Sequence, residues 1–187
     1  MVDLKSIKAV LLDADGTFFN GQETRKLRDG EIAISKERSL QDGQGLSLLR
    51  ALGIRILFVS GEGEPLDSII EKLNKLPSVK SGKWHAIDLV TRVSGQDKVE
   101  SIKAWLKESN IEWRECIYMG DDINDLKAMS RIKQEGGVVF APANATRKVK
   151  EMADVITMAD GGRGAIREMT EIVLDSKGIN ESTLDLV

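Results

Sequence analysis

The sequence predicts an α/β fold, a Rossmann-like three-layer α/β/α arrangement with a central parallel sheet and a β-hairpin inserted after the first strand. Three observations predict it. Short apolar runs of β type alternate along the chain with helix-spaced apolar patterns, the order that builds βαβ units. These runs are apolar nearly throughout, as strands covered on both faces must be. Residues 17–40 alone break the rhythm, with polar, glycine-punctuated sequence.

The first strand is "IKAVLLD" (7–13), an apolar run that leads straight into Asp13 and Asp15. "NGQETRKLRDGEIAIS" (20–35) then reads as a hairpin projecting from the sheet, on which Phe18, Phe19, Ile32 and Ile34 need a surface to pack against. "IRILFVS" (54–60) is the next strand, and Leu66, Ile69, Ile70, Leu73 and Leu76 after it keep helical spacing. "HAIDLV" (85–90) precedes a helix with Val99, Ile102, Trp105 and Leu106 on one face. "CIYMG" (116–120) precedes another, where Ile123, Leu126, Met129 and Ile132 recur every third residue. "GGVVFA" (136–141) and "DVITM" (154–158) complete the strands, and Ile166, Met169, Ile172 and Val173 mark the last helix. At 187 residues the chain reads as one domain over 1–187, with the hairpin at about 17–40 as a flap.

Composition narrows the function classes. Hydrophobic residues make up 41% and charged residues 30% of the chain, the balance of a globular domain. A net charge of −3 gives no general attraction to nucleic acid or anionic membrane, so neither is an expected partner. Cys116 is the single cysteine, which excludes an internal disulfide framework and a cysteine-rich zinc site. No apolar run approaches the roughly 20 residues of a membrane span. Asp3 and Lys5 interrupt any signal-peptide pattern, so a reducing cytoplasm is the expected location.

In open α/β sheets ligands bind beyond the carboxyl ends of the strands, and the unusual polar residues collect there. Asp13 and Asp15 follow the first strand, and Ser60 and Gly61 follow the second. "GDDINDL" (120–126) follows "CIYM", and Lys98 stands at a loop-to-helix boundary. Each has a bland reading alone. Asp15-Gly16 is an ordinary turn pair, Ser60-Gly61 a strand end, Lys98 a solvated lysine, and Asp121, Asp122 and Asp125 are acids favoured at a helix start. Four clusters at one sheet edge weaken those readings together. Asp13 and Asp15 flank Ala14 and point to one side, where like charges repel unless a cation or proton lies between them. The residues alone leave a metal site, an acid/base pair, or both open. The set as a whole supports phosphoryl transfer. One carboxylate can attack phosphorus, a second can move the proton, and Mg²⁺ accepts a few hard oxygen ligands. A hydroxyl, backbone N–H groups and a lysine can hold the phosphate oxygens.

"DADGT", the strand-ending Ser-Gly, Lys98 and "GDDIND", in that order over residues 7–126, resemble the four motifs of the haloacid dehalogenase (HAD) superfamily of phosphohydrolases. The hairpin after the first motif, "DGQGLSLLRALGI" (42–54) and "GGRGAIRE" (161–168) resemble its capless branch. That branch holds 3-deoxy-D-manno-octulosonate 8-phosphate phosphatases, phosphatases of sialic-acid-type 9-phosphates, and the C-terminal module of some CMP-sialic acid synthetases. The resemblance implies a Mg²⁺-dependent phosphomonoester hydrolase that acts on a sugar phosphate through an aspartyl phosphate. It makes Asp13 the nucleophile and Asp15 the general acid/base. Mg²⁺ would sit on the Asp13 carboxylate, the Asp15 backbone carbonyl and Asp121, with Asp122 and Asp125 supporting it from behind. Ser60 and Lys98 would grip the phosphate, and Thr17, Gly61 and Glu62 would contact the substrate. The resemblance also implies a homotetramer in which the hairpin and neighbouring subunits close each site.

Some positions depart from the branch. Asn20-Gly21 stands where its sugar-phosphate phosphatases commonly read Asp-Gly, and "SVKSGKWHA" (78–86) is longer than expected. Ser60-Gly61-Glu62 stands where the octulosonate enzymes usually have Thr-Gly-Arg or Thr-Gly-Lys. It is nearer the Thr-Gly-Glu of the sialic-type enzymes, although 63–73 lacks the arginines those carry. Glu62 reads either as a cap of the next helix near Pro65 or as a carboxylate facing the substrate, where it would repel a nearby carboxylate and accept bonds from sugar hydroxyls or an amide N–H. The second reading places a nine-carbon sialic-type 9-phosphate ahead of the eight-carbon octulosonate 8-phosphate.

The alternative to an enzyme is a non-catalytic oligomerisation module of the synthetase type, in which the motif acids tend to be lost. "GGRG" (161–164) reads either as a phosphate cradle at a helix start or as a turn that needs glycine's positive φ. His85 reads as a structural or surface residue, Trp84, Trp105 and Trp113 as packing residues, and Arg147, Lys148 and Lys150 as a solvated helix face.

Overall fold

The computed structural model describes residues 4–185 apart from residue 29. Residues 1–3, 186 and 187 of the expected unit, and residue 29 of the expected hairpin, lie outside the described residues.

Among the described residues six strands form one parallel sheet: β1 (Ala9–Leu12), β4 (Arg55–Val59), β5 (Asp88–Val90), β6 (Cys116–Met119), β7 (Val138–Ala141) and β8 (Val155–Ile156). Their order is β5-β4-β1-β6-β7-β8, so β1 is central, with Leu12 level with Phe58 on one side and Met119 on the other. A separate antiparallel hairpin pairs β2 (Glu23–Arg28) with β3 (Glu31–Lys36).

Side chains alternate across a strand, and here both faces are apolar. Val10, Leu12, Ile56, Phe58, Ile117, Met119 and Phe140 form one core. It is covered by α1 (Leu40–Ala51), α2 (Leu66–Asn74) and α7 (Ala165–Lys177) through Leu46, Leu49, Ile70, Met169 and Val173. Ala9, Leu11, Leu57, Val59, Tyr118 and Val139 face the other way. They meet α4 (Gln96–Ser109), α5 (Leu126–Gln134) and α6 (Arg147–Met152) through Ile102, Trp105, Met129, Ile132 and Val149. A short α3 (Pro77–Lys80) follows α2. Each large apolar side chain so covered contributes about 2 kcal/mol.

Two quoted segments find their physical reason here. The wholly buried Asp42 of α1 accepts from the backbone N–H groups of Gly164 (3.1 Å) and Arg167 (3.0 Å), satisfying orphan donors at the start of α7. Gly45 lets α1 approach α7, since a Cβ there would lie 3.2 Å from the Cα of Arg167. "GGRG" resolves as a turn. Gly161 N donates to Asn144 Oδ1 (2.6 Å) and Gly162 N to Thr17 O (2.8 Å), so these N–H groups are already satisfied by the protein. Both glycines press against the backbone of residues 16–20, where any Cβ would collide.

The structure also corrects some expectations. The hairpin spans 23–36 rather than 17–40, and Phe18 and Phe19 belong to the core instead, with Phe18 packed 5.1 Å from Phe58 between ring centroids. Ile123 is exposed and precedes α5 rather than lying on its buried face. Other expectations agree with the structure: His85 is exposed, Trp84 and Trp105 are buried, and Arg147 and Lys148 face solvent.

Candidate active site

Asp13 extends the line of β1 by one residue, its N–H donating to Met119 O (3.0 Å), and is 3% exposed. The chain then turns on Ala14 O, which accepts from Phe18 N (2.8 Å) and Phe19 N (2.9 Å). Gly16 sits at φ +80°, and a Cβ there would strike the Asp121 carboxylate. Glycine is required twice over, by conformation and by space.

Lys98, in the first turn of α4, is wholly buried. Its Nζ donates to Asp13 Oδ1 (2.5 Å) and Asp125 Oδ1 (2.7 Å). Tyr118 OH donates to the same Asp125 oxygen (2.7 Å), while Asp125 Oδ2 accepts from the N–H groups of Asp121 (3.1 Å) and Asp122 (3.3 Å). Gly120 gives Asp125 room, because a Cβ there would overlap its carboxylate. Asp125 therefore orders both the 120–125 loop and Lys98.

Asp15 is a third exposed at its side chain, and both its oxygens accept from Lys36 Nζ, at 2.7 and 2.8 Å. Ser60, 1% exposed, follows β4, and its Oγ accepts from Glu62 N (3.1 Å), leaving the hydroxyl proton for another acceptor. A cleft of about 340 Å³ opens here, lined among others by Asp13, Asp15, Ser60, Gly61, Glu62, Asp121 and Asp122. A larger surface groove, about 770 Å³ beside Lys103, Lys107 and Trp113, lies apart from these residues.

Three acids crowd the floor of the cleft. One carboxylate oxygen from each of Asp13, Asp121 and Asp125 lies within 4.8 Å of the others, with one lysine among them. Burial, then the charge of Asp125, push the Asp13 carboxyl up to about 7 against the pull of Lys98. Burial, then the charges of Asp13 and Asp125, push Asp121 up to about 8. Burial alone would lower the Lys98 ammonium, but Asp13 and Asp125 hold it above its ordinary value. The arrangement fits a divalent cation. Asp121 Oδ1 is buried without a hydrogen-bond partner, whereas both oxygens of Asp125 are already taken. Asp13 and Asp121 are thus the carboxylates with capacity left, and hard oxygen donors suit Mg²⁺.

The expected residues Asp13, Asp15, Ser60, Gly61, Glu62, Asp121 and Asp122 meet at this cleft, with Lys98 and Asp125 beneath it. Thr17, expected at the substrate, is wholly buried and its Oγ1 is unpartnered. Sequence reasoning missed Lys36, Tyr118 and Asn144. Asn144 donates to Gly16 O (3.0 Å) and so ties the turn after β1 to residue 161. Tyr118 carried a weak signal, a hydroxyl inside an apolar strand. The other two carried none, because their contacts span 21 and 128 positions of chain.

A family model described as haloacid dehalogenase-like hydrolase matches residues 54–166, which leaves Asp13 and Asp15 outside the match. The chain is similar to 3-deoxy-D-manno-octulosonate 8-phosphate phosphatase of Haemophilus influenzae, 29% identical over 178 residues, 94% of this chain and 87% of the relative. Among solved structures it is similar to the same-named phosphatase of Moraxella catarrhalis in complex with magnesium ion, phosphate ion and KDO. That likeness has a TM-score of 0.77 at 27% identity, over 94% of this chain and 90% of the other. The cobalt-bound Haemophilus influenzae enzyme gives a TM-score of 0.77 at 28% identity, over 95% and 92%.

Proposed function

Because the chain belongs to the haloacid dehalogenase-like hydrolases and is a phosphoric monoester hydrolase, we propose that it hydrolyses a sugar phosphate, with 3-deoxy-D-manno-octulosonate 8-phosphate the first candidate. The relatives reported above carry the name of the eight-carbon acid. They reverse the order that Glu62 suggested, and the sialic-type 9-phosphate becomes the second candidate. The observation that carries the chemistry is the meeting of Asp13, Lys98, Asp125 and Asp121 at one end of β1 and β6, beside the partly exposed Asp15.

The cofactor is Mg²⁺. Asp13, Asp121 and the Asp15 carbonyl would hold it, and when bound it neutralises charge on the phosphoryl oxygens. In the proposed reaction Asp13 attacks phosphorus while Lys98 keeps its carboxylate ionised and oriented. The ester P–O bond breaks, and Asp15 gives its proton to the departing sugar oxygen. Water then attacks the aspartyl phosphate, its proton returns to Asp15, and Asp13 and inorganic phosphate are regenerated. The Ser60 hydroxyl and the Gly61 N–H stand at the cleft wall to hold phosphate oxygens.

A homo-oligomer, a tetramer by resemblance, completes the proposal. Leu27 and Ile32, paired across the hairpin, are 78% and 65% exposed, and Ile34 on the same face is 45% exposed. Three aliphatic side chains on one free face favour a protein surface over water. We place this assembly in a reducing cytoplasm, with Cys116 a buried free thiol. Light scattering should give a multiple of the 20.6 kDa chain at micromolar concentration, and a monomer would reject the assembly.

Phosphate release from a panel of phosphorylated sugars and sugar acids with Mg²⁺ tests the substrate reading. The octulosonate 8-phosphate should have the highest kcat/KM. Preference for a phosphate lacking a sugar would overturn it.

A further inference from the structure

Lys36 ends β3 at the foot of the hairpin, outside every motif, yet its ammonium spans both oxygens of Asp15 at 2.7 and 2.8 Å. Its side chain is only 5% exposed, and Nζ lies 5.8 Å from the centroid of the buried Phe19 ring. The other residues of its strand, Ile32 and Ile34 among them, are exposed, so Lys36 is where the strand turns inward. A buried ammonium is costly unless paired, and the pair here is Asp15. The foot of the hairpin is also fixed to the turn after β1, since Asn20 N donates to Glu37 O (3.0 Å).

We infer that Lys36 is a positioning residue for Asp15, through which the hairpin sets the geometry of proton transfer. The inference rests on the reading of Asp15 as general acid/base. A carboxyl group rotates about its terminal bond almost freely, and proton donation needs hydrogen-bond alignment with the leaving oxygen. Lys36 stops that rotation. In the acid step Nζ keeps one Asp15 oxygen, and the other gives its proton to the ester oxygen as the P–O bond breaks. In the base step the same oxygen takes a proton from the attacking water. No further reactant is needed. Lys36 does not touch phosphate or sugar in this scheme, and its effect passes through Asp15.

The test compares two leaving groups by kcat/KM, which covers only the steps up to departure of the alcohol. A sugar alkoxide needs a proton, whereas p-nitrophenolate leaves without one. Lys36→Met should lower kcat/KM for 3-deoxy-D-manno-octulosonate 8-phosphate about 100-fold, but for p-nitrophenyl phosphate less than about fivefold. Retained p-nitrophenyl phosphatase activity also shows that the variant folds. Lys36→Arg, which keeps a two-donor cation, should recover about tenfold of the loss. Asp15→Asn should show the same asymmetry, and Lys36→Met should add nothing on that background. Equal losses on both substrates, or no loss, would overturn the role of Lys36. Absence of the asymmetry in Asp15→Asn would overturn the reading of Asp15 beneath it.

Discussion

The Lys98 ammonium and the Asp125 carboxylate meet at 2.7 Å with both side chains wholly buried. Asp125 also carries the Tyr118 hydroxyl and two backbone N–H groups, so its loss would strand three donors and leave Lys98 with Asp13 alone. Taking one partner from the buried ammonium, and the acceptor from the buried hydroxyl and N–H groups, costs several kcal/mol. Asp125→Ala should therefore lower the unfolding free energy by about 3–5 kcal/mol. Urea denaturation measures it, and a change below about 1 kcal/mol would show the pair to be worth no more than a surface one.

Metal removal gives a second outcome. Asp13, Asp121 and the Asp15 carbonyl would be few protein ligands, a set that suits Mg²⁺, which keeps waters and takes substrate oxygens. EDTA should abolish turnover and Mg²⁺ should restore it. Ca²⁺, larger and looser in geometry, should inhibit. Full turnover after exhaustive chelation contradicts the mechanism.

Gly161 and Gly53 make a contrast in stability. A Cβ at Gly161 meets the Gly16 carbonyl, whereas Gly53, at φ +74°, has nothing within 4 Å. Gly161→Ala should cost at least about 2 kcal/mol by overpacking. Gly53→Ala should cost only the ~1 kcal/mol of left-handed strain. The reverse order in thermal melts would reject the packing account of residues 161–164.

Glu62 lines the cleft and is exposed, so its charge can act on the substrate beyond the phosphate. Glu62→Arg should raise kcat/KM for a carboxylate-bearing sugar phosphate by about tenfold, the scale of one charge-assisted hydrogen bond. It should leave p-nitrophenyl phosphate little changed. An equal change on both substrates would mean that Glu62 does not select.

The sheet was legible because its strands are apolar on both faces. "AVLL" and "CIYM" can lie nowhere but inside a covered parallel sheet. The acids were legible because local chain direction fixes them, with Asp13 and Asp15 leaving β1 and Asp121 leaving β6. Phe18 and Phe19 were misplaced on the hairpin, and the burial of Thr17 beside them was not foreseen. The turn closes on Ala14 O within five residues and carries all three inward, and sequence adjacency to Asp15 does not reveal this. Lys36 was invisible because hairpin register alone brings it to Asp15. Tyr118 was not singled out, because its hydroxyl meets Asp125 only once the 120–125 loop is folded back onto β6.

In the proposed mechanism the phosphoryl group passes through Asp13, where covalent trapping can locate it. The Asp15→Asn variant, given an activated aryl phosphate and Mg²⁺, should accumulate an acyl phosphate that borohydride reduces to homoserine at position 13, as read by peptide mass spectrometry. Asp13→Asn should form none and should lose at least about 100-fold in kcat, or ~3 kcal/mol of barrier. Label at any other residue, or substantial turnover by Asp13→Asn, would show that Asp13 is not the nucleophile.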